Sequence, residues 1–444
     1  MKLINCFKPL LLGMLLFPSA RLLAQTKPAT PAQQTLTLEQ CVAYALKNRA
    51  AVEQALLDEE IGQHEIKANL SGWLPQISAN YGGTHLFKLQ QQPFGGEVRT
   101  IGQKYTSNIL LQATQTLYSS ELLLASKASR YTRQQLALDI QNNKINTVVD
   151  VSKAFYDILF TQEQLRILDE NVARQEKQYN DARSRFDVGL VDKTDYQRAA
   201  ITLANIRSDR NRAQASIKAK VALLKQLMGY PVASDLDLSY DYNLMQQAVL
   251  LDTTEVINFA NRIELQQLQT QQQLQQLNTA YYKWSFLPTV SSYINYNWLY
   301  FNDTFSGLYS QSYPTSGVGL QVSLPIFQGT RRLQNLKIAQ LQEQRLELET
   351  ENTRKAINTE YQAALARYKS DYYEWTTLRD NVTLAREVYD VIKLQYDEGI
   401  KAYVDLVVAE TDLRTAQLNY YNALYNVLAS KLDYQRALGT INIQ

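Results

Sequence analysis

The residues whose types could carry bond-making chemistry are few and scattered. The 444-residue chain has two histidines, His64 and His85, set apart from each other and from Cys41. No metal cluster or histidine-based triad can be assembled from them. Gly317-Val-Gly319 lacks a third glycine and precedes strand rather than helix, so it is no dinucleotide loop. An enzyme is therefore poorly supported, and no cofactor is implied. What does repeat is Arg185-Phe-Asp-Val-Gly-Leu-Val-Asp-Lys-Thr-Asp195 and its echo Gln395-Tyr-Asp-Glu-Gly-Ile-Lys-Ala-Tyr-Val-Asp405. Each places an aromatic three residues before a glycine and an aspartate six residues after it. Chemistry of this kind is hydrogen bonding and charge pairing at the tip of a helical hairpin, where glycine supplies the positive φ that lets one helix stop and the next begin.

The elements that position these tips are themselves duplicated. A shift of 210 carries Gly189 to Gly399, Asp195 to Asp405 and Gly229 to Gly439, and a shift of 213 carries Asn48-Arg49 to Asn261-Arg262 and Leu74-Pro75 to Leu287-Pro288. The sequence divides into a first repeat over 37–228, an inter-repeat linker over 229–252 and a second repeat over 253–444. Each repeat reads as a helix, a β-hairpin and a long helical hairpin.

At the N-terminus Lys2, Lys8 and the apolar run Leu10–Phe17 lead to Ala24, which reads as a secretory signal over 1–24. Its removal takes out Lys2, Lys8 and Arg21 and moves the formal charge from +2 to −1. A flexible leader is expected over 25–36. Cys41 then stands alone and reads as a small buried hydrophobe; with Gln25 and not a cysteine directly following the cleavage site, no lipid anchor is expected. Balanced charge, 45 Lys+Arg against 43 Asp+Glu, argues against nucleic acid as a partner. No other apolar run reaches the roughly 18 residues of a transmembrane helix, so any membrane crossing must be made by strands.

Thr37, with Gln40 three residues on, opens a helix expected to run to about Leu70, and its counterpart is expected from Thr253 to Trp284. After Pro75 and Pro288 the period becomes two, giving hairpins at about 76–118 and 289–327. Ile77, Ala79, Tyr81 and Phe87, then Ile109, Leu111, Ala113 and Leu117, share faces in the first. In the second, Val290, Ile294, Tyr296, Trp298 and Tyr300 face with Val318, Leu320, Val322, Leu324 and Ile326. Tyr296, Trp298 and Tyr300 cluster at one end, as an interfacial aromatic girdle would. The connections around Pro93–Gly96 and 302–314 read as loops. Segments 119–186 and 329–396 have no proline, and at 1.5 Å per residue each makes a rod of about 100 Å. Their narrow apolar stripes, such as Trp375, Leu378, Val382, Ala385 and Tyr389, read as coiled-coil seams.

These tips, the Leu74-Pro75 and Leu287-Pro288 junctions, Leu324-Pro-Ile-Phe-Gln-Gly329 and the Leu438-Gly439 ending together resemble the TolC-type outer-membrane efflux ducts, over essentially the whole mature chain. The resemblance implies α plus transmembrane β: duplicated long antiparallel helices forming a trimeric α-barrel tunnel in the periplasm, with two β-hairpins per chain contributing to one shared β-barrel in outer-membrane lipid. It implies a homotrimer that passively conducts what an inner-membrane pump delivers through a periplasmic adaptor. It also implies a pore gate at Asp195, Tyr396 and Lys401, with Asp405 as an acidic ring; Asp412, within about 20° of Asp405 on the helix, supplies a second ring. Val188, Gly189, Leu190, Glu398, Gly399 and Ile400 are the implied adaptor contact. A non-pore exported coiled-coil scaffold is the competing reading, and it leaves the paired alternating hairpins unexplained.

Overall fold

The structure, a computed structural model, describes residues 35–190, 192–239 and 242–443. The signal sequence, the start of the leader and Val191 lie outside the described residues. Helix α1 (Leu38–Asn48) opens with the expected capping box: the Thr37 hydroxyl accepts from the Gln40 N–H, and the Gln40 side chain accepts from the Thr37 N–H at 3.0 Å. The expected continuous helix is instead broken at Arg49, whose backbone is extended, and resumes as α2 (Ala50–Leu70). The second repeat shows the same break at Arg262. A 3₁₀ turn over Phe259–Asn261 precedes it, a helix over Ile263–Trp284 follows, and residues 253–258 are not helical. The cause is tertiary. Gly229 and Gly439, which end the returning helices, approach the carbonyls of Asn48 and Asn261 so closely that a Cβ would lie 2.1 and 2.8 Å from them.

Four strands make one antiparallel sheet in the order β2-β5-β7-β8, with β2 spanning Gln76–His85, β5 Tyr105–Tyr118, β7 Thr289–Asn302 and β8 Tyr313–Ser323. The two hairpins are thus joined through β5 and β7. Phe87, Leu324 and Ile326, expected on the strand faces, lie past the strand ends. Pro93–Gly96 is not a simple loop: β3 (Gln90–Phe94) and β4 (Glu97–Ile101) form a separate ribbon turning on Gly95 and Gly96, whose φ values are 61° and 92°.

The long helices match expectation closely. Helix α3 (Ser120–Asp187, 68 residues) turns back into α4 (Lys193–Met228), and α7 (Arg331–Asp397, 67 residues) turns back into α8 (Tyr403–Leu438). Helix α2 and the second repeat's helix over Ile263–Trp284, here α6, pack on the strand-proximal halves of α3 and α7 and complete the pairs. On α7 the buried residues Tyr361, Tyr368, Trp375 and Tyr389 recur at intervals of seven or fourteen, the spacing of a coiled-coil seam. The first three meet Tyr420, Leu424, Val427 and Tyr434 of α8, and Tyr389 packs on Leu406, Ala409 and Leu413 nearer the tip.

The described end of the leader and the inter-repeat segment are held in secondary structure. Thr35–Leu36 forms β1, which pairs in parallel with Asp237–Leu238, β6, and α5 covers Tyr242–Ala248. Beyond α5, two tyrosines strap the connection into the second repeat onto α7: the Tyr368 hydroxyl donates to the Val249 carbonyl at 2.7 Å and Tyr361 to Glu255 at 3.0 Å. Cys41 is fully buried beside Val151, Phe155, Leu224 and Met228, and burial, followed by the charge of Glu39, pushes its thiol from 9.0 up to about 12.

Candidate gate, docking tips and membrane surface

Both tips close with the same pair of hydrogen bonds. Leu190 N–H donates to the Arg185 carbonyl at 2.8 Å and Gly189 N–H to Phe186 at 2.9 Å; Ile400 donates to Gln395 at 2.8 Å and Gly399 to Tyr396 at 3.0 Å. This double closure needs a left-handed residue, and Gly189 and Gly399 have φ of 78° and 77°. It leaves Val188, Leu190 and Ile400 projecting into solvent, each at least 70% exposed. Glu398 is exposed beside them.

Between the two hairpins lies an aromatic cluster of Tyr179 and Ala182 from α3, Tyr196 and Ala199 from α4, Tyr396 from α7, and Tyr403 and Val407 from α8. The Arg185 guanidinium sits 5.5 Å from the centre of the Tyr396 ring, and Tyr396 and Tyr403 are 6.1 Å apart. Burial raises both phenols above their usual range; the Arg185 charge pulls Tyr396 back, while Asp195 pushes both further up. The structure therefore brings Asp195 and Tyr396 into one neighbourhood. Lys401 is turned elsewhere, to Asp405 on its own side of the tip at 3.8 Å. Asp195 and Asp405 are each the third residue of a returning helix, where a carboxylate also meets the positive end of the helix dipole. Asp412 is exposed two turns along α8, with exposed Val408 between.

Sequence reasoning missed Glu410. Its side chain is 5% exposed and accepts from three side chains of α3: Arg174 Nε at 3.2 Å, Gln175 Nε2 at 2.5 Å and Gln178 Nε2 at 2.9 Å. The only signal was one carboxylate ending the apolar run Leu406-Val-Val-Ala409.

At the other end of the molecule, strand register puts Ile77, Ala79 and Tyr81 opposite Ala113, Leu111 and Ile109, these opposite Ile294, Tyr296 and Trp298, and Ile294 opposite Val318. Directly opposed residues point to the same side, so this is one apolar face. It is open to solvent in the single chain, with Ile77 at 73% and Val318 at 81% exposure. Asn80, Gln112, Asn295 and Asn297 lie on the opposite face. Tyr296 and Trp298 rings are 4.4 Å apart, with Tyr296 at the middle of β7, and Tyr300, near the strand end remote from the helices, meets Tyr309 at 5.2 Å. Among the described residues no helix is long and apolar enough to cross a membrane, and no group of His, Cys, Asp and Glu could hold a metal ion.

Residues 42–230 and 258–440 match the outer membrane efflux protein family. The outer membrane protein TolC of Escherichia coli (strain K12) is 26% identical over 356 residues, covering 75% of this chain and 69% of its own. The outer membrane efflux protein BepC of Brucella suis biovar 1 is 20% identical over 440 residues, covering 96% and 90%. The Campylobacter jejuni CmeC outer membrane channel has the same fold, with a TM-score of 0.75 at 18% identity over 91% of this chain and 85% of that one.

Proposed function

The chain belongs to the outer membrane efflux protein family, and from that membership we propose that it is the passive exit duct of a tripartite efflux or secretion system. It is an outer-membrane channel protein, and its relatives are channels rather than enzymes. The observation that carries the finer reading is the four-stranded sheet. Its two outer strands, β2 and β8, each pair on one side only, and its apolar face is open, at one end of helical rods about 100 Å long. Lipid cannot satisfy open strand edges, so such a sheet persists in a bilayer only by closing on sister sheets. Three copies closing edge to edge give one barrel, with the rods continuing it as a tunnel. A non-pore coiled-coil scaffold would have no use for an apolar sheet face with open edges.

In this reading Tyr296, Trp298 and Tyr300 sit at the outer membrane interface. Val188, Leu190 and Ile400, held out by Gly189 and Gly399 and flanked by Glu398, receive a periplasmic adaptor joined to an inner-membrane pump. Asp195 and Tyr396, gathered between the hairpins, help hold the tips shut, whereas Lys401, expected with them, pairs with Asp405 on its own hairpin; Asp405 and Asp412 ring the constriction. The test is to extract the mature chain in detergent, measure its oligomeric mass and insert it into planar bilayers. Trimers that form low-conductance channels are expected; a monomer soluble without detergent and lacking conductance would overturn the reading.

A further inference from the structure

We infer that Glu410 is the principal tie holding the two tip hairpins of each chain together, and that its release from α3 is what opens the duct. The inference rests on the gated-channel reading above and assigns the latch to a residue outside the set of Asp195, Tyr396 and Lys401.

Among the described residues, Glu410 is the one carboxylate buried in the protein, at 4% exposure. It sits eleven residues beyond Gly399 on α8, and its three partners sit eleven to fifteen residues before Gly189 on α3. The contact therefore joins the hairpin of the second repeat to that of the first, about 15–20 Å from the tips by helical rise. Arg174 is itself held, donating through Nη2 to Asn171 Oδ1 at 2.8 Å. Asn171, fully buried, donates in turn to the Ile167 carbonyl at 2.7 Å. One guanidinium and two amides converging on one carboxylate form a directional, charge-assisted connection, stronger per contact than neutral hydrogen bonds. The Lys401–Asp405 pair, by contrast, spans a single turn of one helix, is over 40% exposed on both sides and joins no hairpin to another.

The duplication supplies an internal control. The tip-aligned shift of 210 carries Arg174, Gln175 and Gln178 to Leu384, Ala385 and Val388, and carries Glu410 back to Ala200. The same positions in the pseudo-equivalent helices are thus apolar, and Leu384 and Val388 are more than half exposed in the single chain. A carboxylate with three donors is therefore not a requirement of the coiled-coil architecture. It is specific to the contact between the two hairpins of one chain. Buried ion pairs add little net stability against apolar substitutes, and their best-attested roles are in registry and switching. A joint that must part and re-form is better built from such a pair than from an apolar seam, because on opening both partners regain hydration.

The experiment compares single-channel conductance of full-length wild type, Glu410→Ala and Glu410→Gln in planar bilayers, with thermal dissociation of the detergent-extracted trimer measured alongside. Removing a hydrogen-bonded charge of this kind should shift the closed–open balance by about tenfold or more. Glu410→Ala is therefore expected to give a large rise in resting open probability, with the trimer still assembled. Glu410→Gln, of the same shape but uncharged, should give an intermediate rise and carries the test if the alanine variant does not assemble. Lys401→Ala should give less than either. Assembled Glu410→Gln trimers with wild-type resting conductance would overturn the inference while leaving the channel reading intact; a wild type that forms no channel would instead sink the channel reading.

Discussion

Four glycines end four long helices, and the two pairs do different work with the same backbone. Gly189 and Gly399 at the tips, and Gly229 and Gly439 at the far ends of the returning helices, all lie in the left-handed region, with φ between 68° and 78°. All four close their helices with the same two hydrogen bonds. The surroundings separate them. Nothing approaches within 4 Å of where a Cβ would stand at Gly189 or Gly399, whereas at Gly229 and Gly439 that atom would strike the Asn48 and Asn261 carbonyls. One pair serves only to turn the chain and leaves its neighbours projecting into solvent. The other lets a helix end abut the break in another helix, closing the waist of the molecule.

Alanine substitution should separate the pairs most sharply. Gly229→Ala must leave the left-handed region or hold strain there, and must also push the Asn48 backbone aside. The two penalties together are on the order of 3–5 kcal/mol, enough to lose most assembled protein. Gly439→Ala should be somewhat milder, and Gly189→Ala should carry the conformational term alone, about 1–2 kcal/mol. Thermal melting of the extracted protein measures all three; equal losses at Gly229 and Gly189 would erase the distinction.

At the tips the expected loss is of transport and not of fold. Leu190→Asp and Ile400→Asp place a charge where a side chain is already more than 70% exposed, so stability should change by no more than about 0.5 kcal/mol. If an adaptor rests on these side chains, cells relying on either variant should accumulate pump substrates nearly as cells without the duct do. Unchanged export with both variants would move the docking surface elsewhere.

The same contrast explains what was legible in the sequence. The ends of α4 and α8 could be read because a glycine directly follows each, at Gly229 and Gly439, and the lengths of α3 and α7 because proline is absent from them. The breaks at Arg49 and Arg262 could not, since arginine is a good helix former and the interruption is imposed by Gly229 and Gly439 from more than 170 residues away. The β3–β4 ribbon was hidden by Gln90-Gln-Gln-Pro93, a run with little strand propensity. Glu410 was illegible for a related reason: its burial is set by Arg174, Gln175 and Gln178, about 235 positions earlier in the chain.

The waist also carries a pH signature. Burial pushes the Cys41 thiol and the Tyr156 phenol each up to about 12. A group that is neutral and raised in the folded state contributes stability fully below its unfolded value, and that contribution is lost as pH climbs toward the folded value. Melting temperature should therefore fall between about pH 9 and 12, and Cys41→Ala should flatten part of that fall. Alkylation of Cys41 at pH 8 should be negligible until the protein unfolds; rapid labelling of the assembled protein would show that the waist opens.

The smallest effects belong to Lys401 and Asp405, and their signs are more informative than their sizes. The pair is exposed and 3.8 Å long, worth at most about 1 kcal/mol, so neither substitution should alter assembly. If three copies of Asp405 ring a constriction, their potential favours cations, and Lys401 partly cancels it from one turn away. Asp405→Asn should then lower cation selectivity and block by multivalent cations, while Lys401→Ala should raise both, shifting the reversal potential in the opposite direction. Shifts of the same sign, or none for Asp405→Asn, would take the constriction away from the start of α8. That would leave Asp405 as a first-turn carboxylate serving only its helix, the role its position alone already explains.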